Sequence, residues 1–360
     1  MPFDLKAHLR TLVEAHAPSG HEAAVREILR EAWSGLVDEF QSDKLGSLIG
    51  IKRGTKRADP PRKIMLAAHM DEIGMMVRDV VDGFVFVHNI GGVDNRLMIA
   101  QTVRVHGKRS LVGLVSSTPP HLLKAKDRTR YPTFTELVID LGLPAAEVAE
   151  LVSIGDLITV EAPMIELGGN RVAGKAMDDR ACVAAVTACL NELQRLNHSW
   201  DVYAAATVQE EVGLLGAKTS ANFIAPDIAI ALDVTFAPQP GVDQDATSEL
   251  GGGPGIGIGP NFHPRLVERI RETAKRSEIK LQEDIIPGAS GTDAWAIQVA
   301  LEGIPTALLE IPLKNMHSPI ETADMRDIER LGRVLALFIA DLDADFLSSI
   351  AWQPAAAVTP

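Results

Sequence analysis

Residues 63–77, KIMLAAHMDEIGMMV, decide the fold because the character of the sequence changes within them. The run KIMLAAH is short and almost wholly apolar, which is typical of a buried strand in an α/β sheet. After His69, and as far as about Ala162, the chain is rich in valine and glycine, with runs such as FVFVH and SLVGLVSS. Closely spaced short strands with Gly and Asp turns predict a small β-barrel or sandwich in this block.

Strands and helices alternate outside that block. A capping box of Ser19 and Glu22 predicts a helix in PSGHEAAVREILREAWSGL, and FQSDKLGSLIGIKRG predicts a hairpin. From Gly174 onward, strands such as DVYAAATV and DIAIALDV alternate with helices such as TDAWAIQVALEG, and the tail after Ser348 has no periodic pattern. This alternation indicates an α/β fold. We predict a three-layer α/β/α catalytic domain with a mixed sheet, residues 1–72 and 163–360, and an inserted β-barrel-like domain, residues 73–162.

Composition excludes several classes of protein. Acidic residues outnumber basic ones 48 to 35 in 360 residues, which disfavours a nucleic-acid partner because phosphate binding needs a basic face. No apolar stretch approaches the roughly 18 residues of a membrane span, and charges interrupt the first helix where a signal peptide would be apolar. Cys182 and Cys189 lie too far apart along one predicted helix for a disulfide, so we expect buried thiols. We predict a cytoplasmic protein.

Side chains that bind metals lie at or near the ends of apolar runs in the predicted α/β part. Such ends meet in a crevice at one edge of a parallel sheet. Two imidazoles and three carboxylates from this set would hold two divalent cations at a net charge of about +1, which one hydroxide would cancel. Glu210 would remain free to move a proton. The pattern predicts a two-metal hydrolase, and the candidates are His69, Asp71, Asp178, Asp179, Glu210, Glu211, Asp233 and His317.

Each candidate also has an ordinary structural explanation. His69 alone suits a hydrogen-bonded core histidine, and His317 alone suits a surface histidine. Asp178 and Asp179 suit the N-terminus of a helix, although two adjacent carboxylates repel each other unless a cation is near. A solvated turn would explain Glu210 and Glu211, but burying two carboxylates without a partner is expensive. The joint occurrence at several strand ends favours the metal site.

The same segments resemble a known family. They are similar to the dinuclear metallo-aminopeptidases that include the tetrahedral and the glutamyl aminopeptidases of bacteria and archaea, some of which carry the name endoglucanase. The segments extend over nearly the whole chain, and NMHSP departs from the family in having Asn315 where relatives often have an aromatic residue. The matching segments are PSGHE, AAHMDEIGMMV, IGGVDNR, SSTPPHLL, GKAMDDR, TVQEEVGLLGAKTS, IALDVT, SGTDAWAI and MHSP.

The resemblance implies a role for each site residue. Asp178 would bridge the two metals and precede a strained, cis peptide bond, with Glu211 and His317 completing one site. His69 and Asp233 would complete the other site. Glu210 would be the general base, and Asp71 would orient His69. Zn²⁺ is the expected metal, with Co²⁺ or Mn²⁺ as alternatives because the ligands are nitrogen and oxygen without thiolate.

The resemblance also implies substrates and assembly. The substrates would be peptides with a free N-terminus, with Asp293 either lining their pocket or capping a helix. The inserted domain would form dimers that assemble into a dodecamer, and the loop 119–132 would reach a neighbouring subunit or stay solvated. Two other functions stay open, a glycoside hydrolase and a non-catalytic metal-binding assembly protein. The aromatic content of 4% argues against the glycoside hydrolase, which needs aromatic sugar platforms.

Overall fold

A computed structural model describes residues 3–56, 60–243 and 247–351. Helices and strands alternate along most of it, as the sequence predicts for an α/β fold. Within the described ranges the α-helices are α1 Leu5–Glu14, α2 Ala23–Trp33, α3 Asn95–Met98, α4 Ala145–Leu151, α5 Met177–Glu192, α6 Leu215–Ile224, α7 Pro264–Arg276, α8 Asp293–Ile297, α9 Met325–Ala340 and α10 Phe346–Ile350. In none of these helices is the described chain both long and apolar enough to cross a membrane.

The strands divide into a large mixed sheet, a small sheet and a closed barrel. Their bounds, in chain order, are β1 Glu39–Ser42, β2 Leu48–Lys52, β3 Lys63–His69, β4 Gly74–Val81, β5 Phe84–Ile90, β6 Thr102–His106, β7 Ser110–Ser116, β8 Val138–Asp140, β9 Leu157–Val160, β10 Ile165–Glu166, β11 Arg171–Gly174, β12 Asp201–Thr207, β13 Ile228–Phe236, β14 Gly255–Ile258, β15 Gln282–Ile285, β16 Thr306–Leu313 and β17 Glu321–Asp324.

The large sheet positions the site. Its eight strands run in the order β1-β2-β12-β3-β13-β16-β14-β15, and the central four, β12, β3, β13 and β16, are parallel. These four are almost wholly apolar and buried along their length, as expected of parallel strands covered on both faces. Helices α1, α5 and α9 pack together on one side, and α6 and α8 pack together on the other. The predicted three-layer α/β/α arrangement is confirmed.

The β-rich block forms a closed six-stranded barrel in the order β4-β5-β8-β7-β6-β9. Its side chains alternate between buried and exposed along strands such as β7, because successive residues of a strand face opposite sides. The barrel has its own core, which includes Val85, Val105 and Ile139, separate from the core of the large sheet. The predicted barrel-like part is therefore present, and its strands extend from Gly74 to Val160.

Several local predictions are wrong. Ser19 and Glu22 form no capping box, because the Ser19 hydroxyl donates to a buried carboxylate and α2 begins without a side-chain cap. The helix predicted in TDAWAIQVALEG is only the short α8. The tail without a periodic pattern was predicted to begin after Ser348, but α10 continues to Ile350, and residues 352–360 lie outside the described ranges. Cys182 and Cys189 are free and buried in α5, as predicted.

Candidate metal centre

Four parallel strands and one helix bring the candidate residues to the same edge of the large sheet. His69 is the last residue of β3, Glu210 follows the end of β12, and His317 follows the end of β16. Asp178 lies in the irregular first turn of α5. A cis peptide bond joins it to Asp179. Asp233 was predicted at a strand end, but it lies inside β13, which continues to Phe236.

The side chains of these residues converge. The His69 Nε2 atom lies 3.1 Å from Asp178 Oδ1 and 3.9 Å from Glu210 Oε2. The His317 Nε2 atom lies 3.4 Å from Asp178 Oδ2 and 3.6 Å from Glu211 Oε2. The two carboxylate oxygens of Asp178 therefore face two different histidines, which is the arrangement expected of a carboxylate shared by two cations.

Two overlapping groups of three side chains are compact enough to hold an ion. In one group, ligand atoms of His69, Asp178 and Glu211 all lie within 4.8 Å of one another, and in the other those of His69, Glu210 and Asp233 do. His69 belongs to both groups, whereas the resemblance to the family implies Asp178 as the shared ligand. His317 reaches the first group through its contacts with Asp178 and Glu211. All the predicted ligands and Glu210 thus lie in one cluster, which we call the metal cluster.

Asp71 connects the two halves of the metal cluster. Its Oδ1 atom lies 3.5 Å from His69 Nδ1 and accepts a hydrogen bond from the Glu210 backbone N–H. Its Oδ2 atom accepts from the Glu211 backbone N–H and, at 2.6 Å, from the Ser19 hydroxyl. Asp71 is fully buried, and these contacts fix its carboxylate in one orientation. It therefore lies where a residue that orients His69 must lie.

Sequence reasoning missed three residues that hold this arrangement together. Ser19 donates to Asp71, as described above, and Glu22 accepts from the backbone N–H of Gln209, directly before Glu210. Glu321 accepts from the backbone N–H groups of Asp178 and His317. The segment PSGHE was a matching segment for the family, which is a signal for Ser19 and Glu22. Glu321 has no such signal beyond its position four residues after His317.

Two further acidic candidates, Asp179 and Asp293, do not belong to the metal cluster. Asp179 is fully buried, and its Oδ2 atom accepts from the backbone N–H of His69. Asp293 begins α8, and its Oδ2 atom accepts from the Thr207 hydroxyl at 2.6 Å. The cap position of α8 belongs to Thr292, so the capping role predicted for Asp293 is wrong. Through these hydrogen bonds, Asp179 holds the backbone of His69 in place and Asp293 holds the side chain of Thr207 in place.

The metal cluster contains more negative charge than it can balance. Burial, with the charge of Asp233, raises the pKa of Glu210 to about 10, and burial, with the charge of Asp178, raises the pKa of Glu211 to about 7. Burial also raises the pKa of Asp233 well above its ordinary value. The hydrogen bond with Asp178 raises the pKa of His317 to about 9. All four pKa values are raised, which is the direction expected at a site that attracts positive charge.

These residues fit divalent cations. Buried carboxylates whose pKa values are raised hold protons, and cations placed among them would replace those protons and restore the ionised form. The donor atoms are imidazole nitrogens and carboxylate oxygens without a thiolate, a set that suits Zn²⁺, Co²⁺ or Mn²⁺. Asp71 supplies the carboxylate that commonly supports a metal-binding histidine from behind.

A cavity of about 430 Å³ opens beside the metal cluster. Thr235 and Phe236 of β13, Ile286, Met316 and two further carboxylates, Asp284 and Glu310, contribute to its wall. Glu310 is 3% exposed, and among the described residues its Oε2 atom has no hydrogen-bond partner. Burial and the charges of Asp284 and Asp233 raise its pKa well above the ordinary value. The sequence analysis missed Glu310, which lies inside the apolar run of β16.

Known proteins are similar to this chain in sequence and in fold. Residues 46–334 match the family of M42 glutamyl aminopeptidases. The chain belongs to this family. It is 36% identical to the lysyl aminopeptidase of Pyrococcus furiosus over 93% of this chain and 96% of that one. The fold is similar to a TET aminopeptidase from a marine sediment archaeon of the Thaumarchaeota, with a TM-score of 0.91, 32% identity, and coverage of 96% of this chain and 99% of that one.

Membership in the M42 family decides between the functions that the sequence left open. The chain is a metal-dependent aminopeptidase, a hydrolase of peptide bonds that acts as an exopeptidase. One structure of the same fold, 35% identical with a TM-score of 0.76 over 95% of this chain and all of that one, is described as a putative peptidase/endoglucanase. The endoglucanase name thus occurs within a fold and family of aminopeptidases, and the glycoside hydrolase prediction is not supported.

Proposed function

We propose that this metal-dependent aminopeptidase holds two divalent cations and that Asp178 is their shared ligand. Glu211 and His317 would complete one site, and His69 and Asp233 would complete the other. The observation that carries the proposal is the position of Asp178, because its Oδ1 atom faces His69 and its Oδ2 atom faces His317. Zn²⁺ is the default occupant of such a ligand set, and Co²⁺ or Mn²⁺ are the alternatives.

The cations and the side chains have separate roles in the proposed reaction. Divalent cations, when bound, polarise the scissile carbonyl and lower the pKa of the attacking water. Glu210 is the acid–base residue: its carboxylate takes the proton of that water and returns it to the leaving amine. Asp71 keeps Glu210 in place through the Glu210 backbone N–H and keeps the His69 ring in place through Nδ1.

The buried position of Glu210 suits this role. The residue is 9% exposed, so bulk water does not compete for the proton that it carries between the two steps. Its neighbour Glu211 faces His317 instead, so the adjacent carboxylates have different surroundings. The free amine of the peptide would bind at the same cluster, which limits cleavage to the first peptide bond.

We further propose a homo-oligomer in the cytoplasm. The barrel, within an inserted domain of residues 73–162, would form dimers, and dimers would assemble into a dodecamer. Support comes from the similar TET1 peptidase of Pyrococcus horikoshii, which is described as assembling into a tetrahedron or a large octahedral shell. The exposed apolar residues Val112 and Leu114 on β7 suit a barrel contact. The loop 119–132 would reach a neighbouring subunit.

One panel of substrates tests the proposed reaction. Purified protein loaded with Zn²⁺, Co²⁺ or Mn²⁺ is assayed on aminoacyl anilides, on short peptides and on the same peptides with an acetylated N-terminus, and on a β-glucan. We expect release of N-terminal residues that stops with a chelator and fails on the acetylated peptides. Equal cleavage of free and acetylated peptides would contradict exopeptidase action, and elemental analysis giving one cation per subunit would contradict the dinuclear site.

A further inference from the structure

The cavity beside the metal cluster has two more carboxylates than the reaction uses. Of the six that line it, Asp178, Glu210, Glu211 and Asp233 belong to the proposed metal site. The remaining two are Asp284 and Glu310, on β15 and β16. Within the described part of the chain, no Lys or Arg lines this cavity. Two carboxyl groups therefore remain in the cavity wall after the proposed metal site has been accounted for.

Glu310 faces the same side of the sheet as the metal cluster. It pairs in register with Asp233 on the neighbouring parallel strand, and register partners on adjacent strands face the same side. On its other flank it pairs with Gly255, and a Cβ atom there would lie only 3.3 Å from Glu310 Oε2. The absence of a side chain at Gly255 leaves room for the Glu310 carboxylate, which is buried but has no hydrogen-bond partner for Oε2 among the described residues.

Asp284 continues the carboxylate-lined wall of the cavity away from the metal cluster. Its Oδ2 atom accepts a hydrogen bond of 2.6 Å from the Thr235 hydroxyl, which holds the carboxylate in place. Thr235 lies two residues after Asp233 in β13, so both face the same side of the strand. Asp284 is only partly buried, whereas Glu310 lies deeper. The two carboxylates thus form one wall that leads from the metal cluster toward the open side of the cavity.

We propose that Glu310 and Asp284 form a subsite for a cationic side chain, so that the enzyme prefers peptides whose N-terminal residue is lysine or arginine. The inference rests on the proposed function, because the subsite lies beside the cluster that would hold the scissile bond. Ile286 and Met316 also line the cavity, and they would contact the methylene groups of a lysine while its ammonium group reaches the carboxylates.

The same geometry disfavours an acidic N-terminal residue. A glutamate side chain in this cavity would lie beside Glu310 and Asp284, and like charges in a partly buried site repel strongly. A neutral side chain of the same length, such as norleucine, would make the apolar contacts but offer no hydrogen bond to Glu310 Oε2. The expected order of preference is therefore lysine or arginine, then norleucine, then glutamate.

Kinetics with matched substrates test the subsite. We expect kcat/KM of the wild-type metal-loaded enzyme to be about 10- to 100-fold higher for lysyl than for norleucyl anilide, as one charged hydrogen bond allows. Glu310→Gln keeps the side-chain shape and should remove most of that ratio. Asp284→Asn should remove a smaller part. The control is Glu283→Gln, because Glu283 is exposed on the same strand and pairs with Arg271.

Binding gives a readout that does not depend on turnover. Lysinamide should raise the Tm of the metal-loaded wild type more than norleucinamide does, and the difference should vanish in Glu310→Gln. Equal shifts in the wild type, or a lysine preference that survives both variants, would overturn the subsite. If neither anilide is hydrolysed but lysinamide still binds preferentially, the subsite stands and the proposed peptidase reaction is wrong.

Discussion

Two buried groups of charged side chains lie next to each other, and only one of them pairs its carboxylate with Lys and Arg side chains of its own. The first is the metal cluster. The second, which we call the Glu72 ion cluster, consists of Glu72, Lys175 and Arg180. Glu72 Oε2 lies 2.7 Å from Lys175 Nζ, and Glu72 Oε1 lies 3.2 Å from Arg180 Nη2. The two cations donate their other hydrogen bonds to the backbone carbonyls of Leu12, Ala15, Ala17 and Met70.

The difference separates a structural charge cluster from one that needs an external ligand. Burial alone would raise the pKa of Glu72, but Lys175 and Arg180 together lower it below its ordinary value. In the metal cluster, burial raises the pKa of Glu210 and Glu211, and the opposing effect of the neighbouring histidine His69 is too small to offset it. Burial by itself therefore does not indicate function. The informative feature is whether the buried carboxylates of a cluster have Lys or Arg partners within it.

The largest expected effect is the loss of both metals in Asp178→Asn. The proposed shared ligand serves two cations, and an amide oxygen binds them far more weakly than a carboxylate. We expect elemental analysis to show nearly two metals per subunit in the wild type and nearly none in the variant, with no measurable peptidase activity. Asp284→Asn, in the same cavity but outside the ligand set, should keep both. Two metals retained in Asp178→Asn would contradict the shared role.

Removal of the proposed acid–base residue should lower turnover but leave the metals bound. We expect Glu210→Gln to lower kcat by about 10²- to 10⁴-fold, the usual contribution of a general base. Metal content and Tm should stay close to those of the wild type, because the variant keeps the side-chain volume. Steady-state kinetics and elemental analysis on one preparation give both values. Near-normal turnover with full metal occupancy would remove Glu210 from the mechanism.

The Glu72 ion cluster should respond in stability rather than in metal binding. Glu72→Gln leaves Lys175 and Arg180 buried without a counter-charge, and breaking a buried pair costs about 3–5 kcal/mol. Thermal and urea unfolding of the metal-loaded protein measure the loss. Glu166→Gln is the matched control, because Glu166 forms exposed ion pairs with Lys6 and Arg10, and its loss should leave the unfolding free energy nearly unchanged.

The contribution of Glu72 should also depend on pH with a defined sign. Because its folded pKa is lower than the ordinary value of 4.5, the folded state favours the ionised form. Its stabilisation is then fully present above about pH 4.5 and is lost as the pH falls through the folded pKa. The difference in unfolding free energy between the wild type and Glu72→Gln should shrink accordingly below pH 4.5. A constant difference down to pH 3 would contradict the ionic origin.

The comparison also shows how far the sequence could go. Short apolar runs ending in His69 or followed by Glu210 are visible in the sequence, and parallel strands bring their carboxyl ends to one edge. The barrel was predictable as well, because its strands lie close together along the chain. These features depend on local pattern and on general rules of sheet topology, so one sequence is enough to predict them.

Contacts between distant segments were beyond sequence reasoning. Nothing near Glu72 in the sequence indicates Lys175 and Arg180 as its partners, more than a hundred residues away. Glu310 interrupts an apolar strand in the same way as Asp233, but only the register of β14 and β16 places it over Gly255. The Ser19 prediction failed for a physical reason: the Ser19 hydroxyl donates a strong hydrogen bond to the buried carboxylate of Asp71, so the side chain does not accept one from a backbone N–H of the helix end.

The smallest expected effect concerns Ser19, which contacts the metal cluster only through Asp71. Ser19→Ala removes the 2.6 Å hydrogen bond to Asp71 Oδ2 but leaves the bonds from the Glu210 and Glu211 backbone N–H groups. A lost hydrogen bond of about 1 kcal/mol corresponds to a decrease in kcat of roughly fivefold, with metal content unchanged. Ser19→Thr keeps the hydroxyl and should retain most of the activity. Because the two variants differ in that hydroxyl, equal kcat values for both would show that Asp71 keeps its orientation without Ser19.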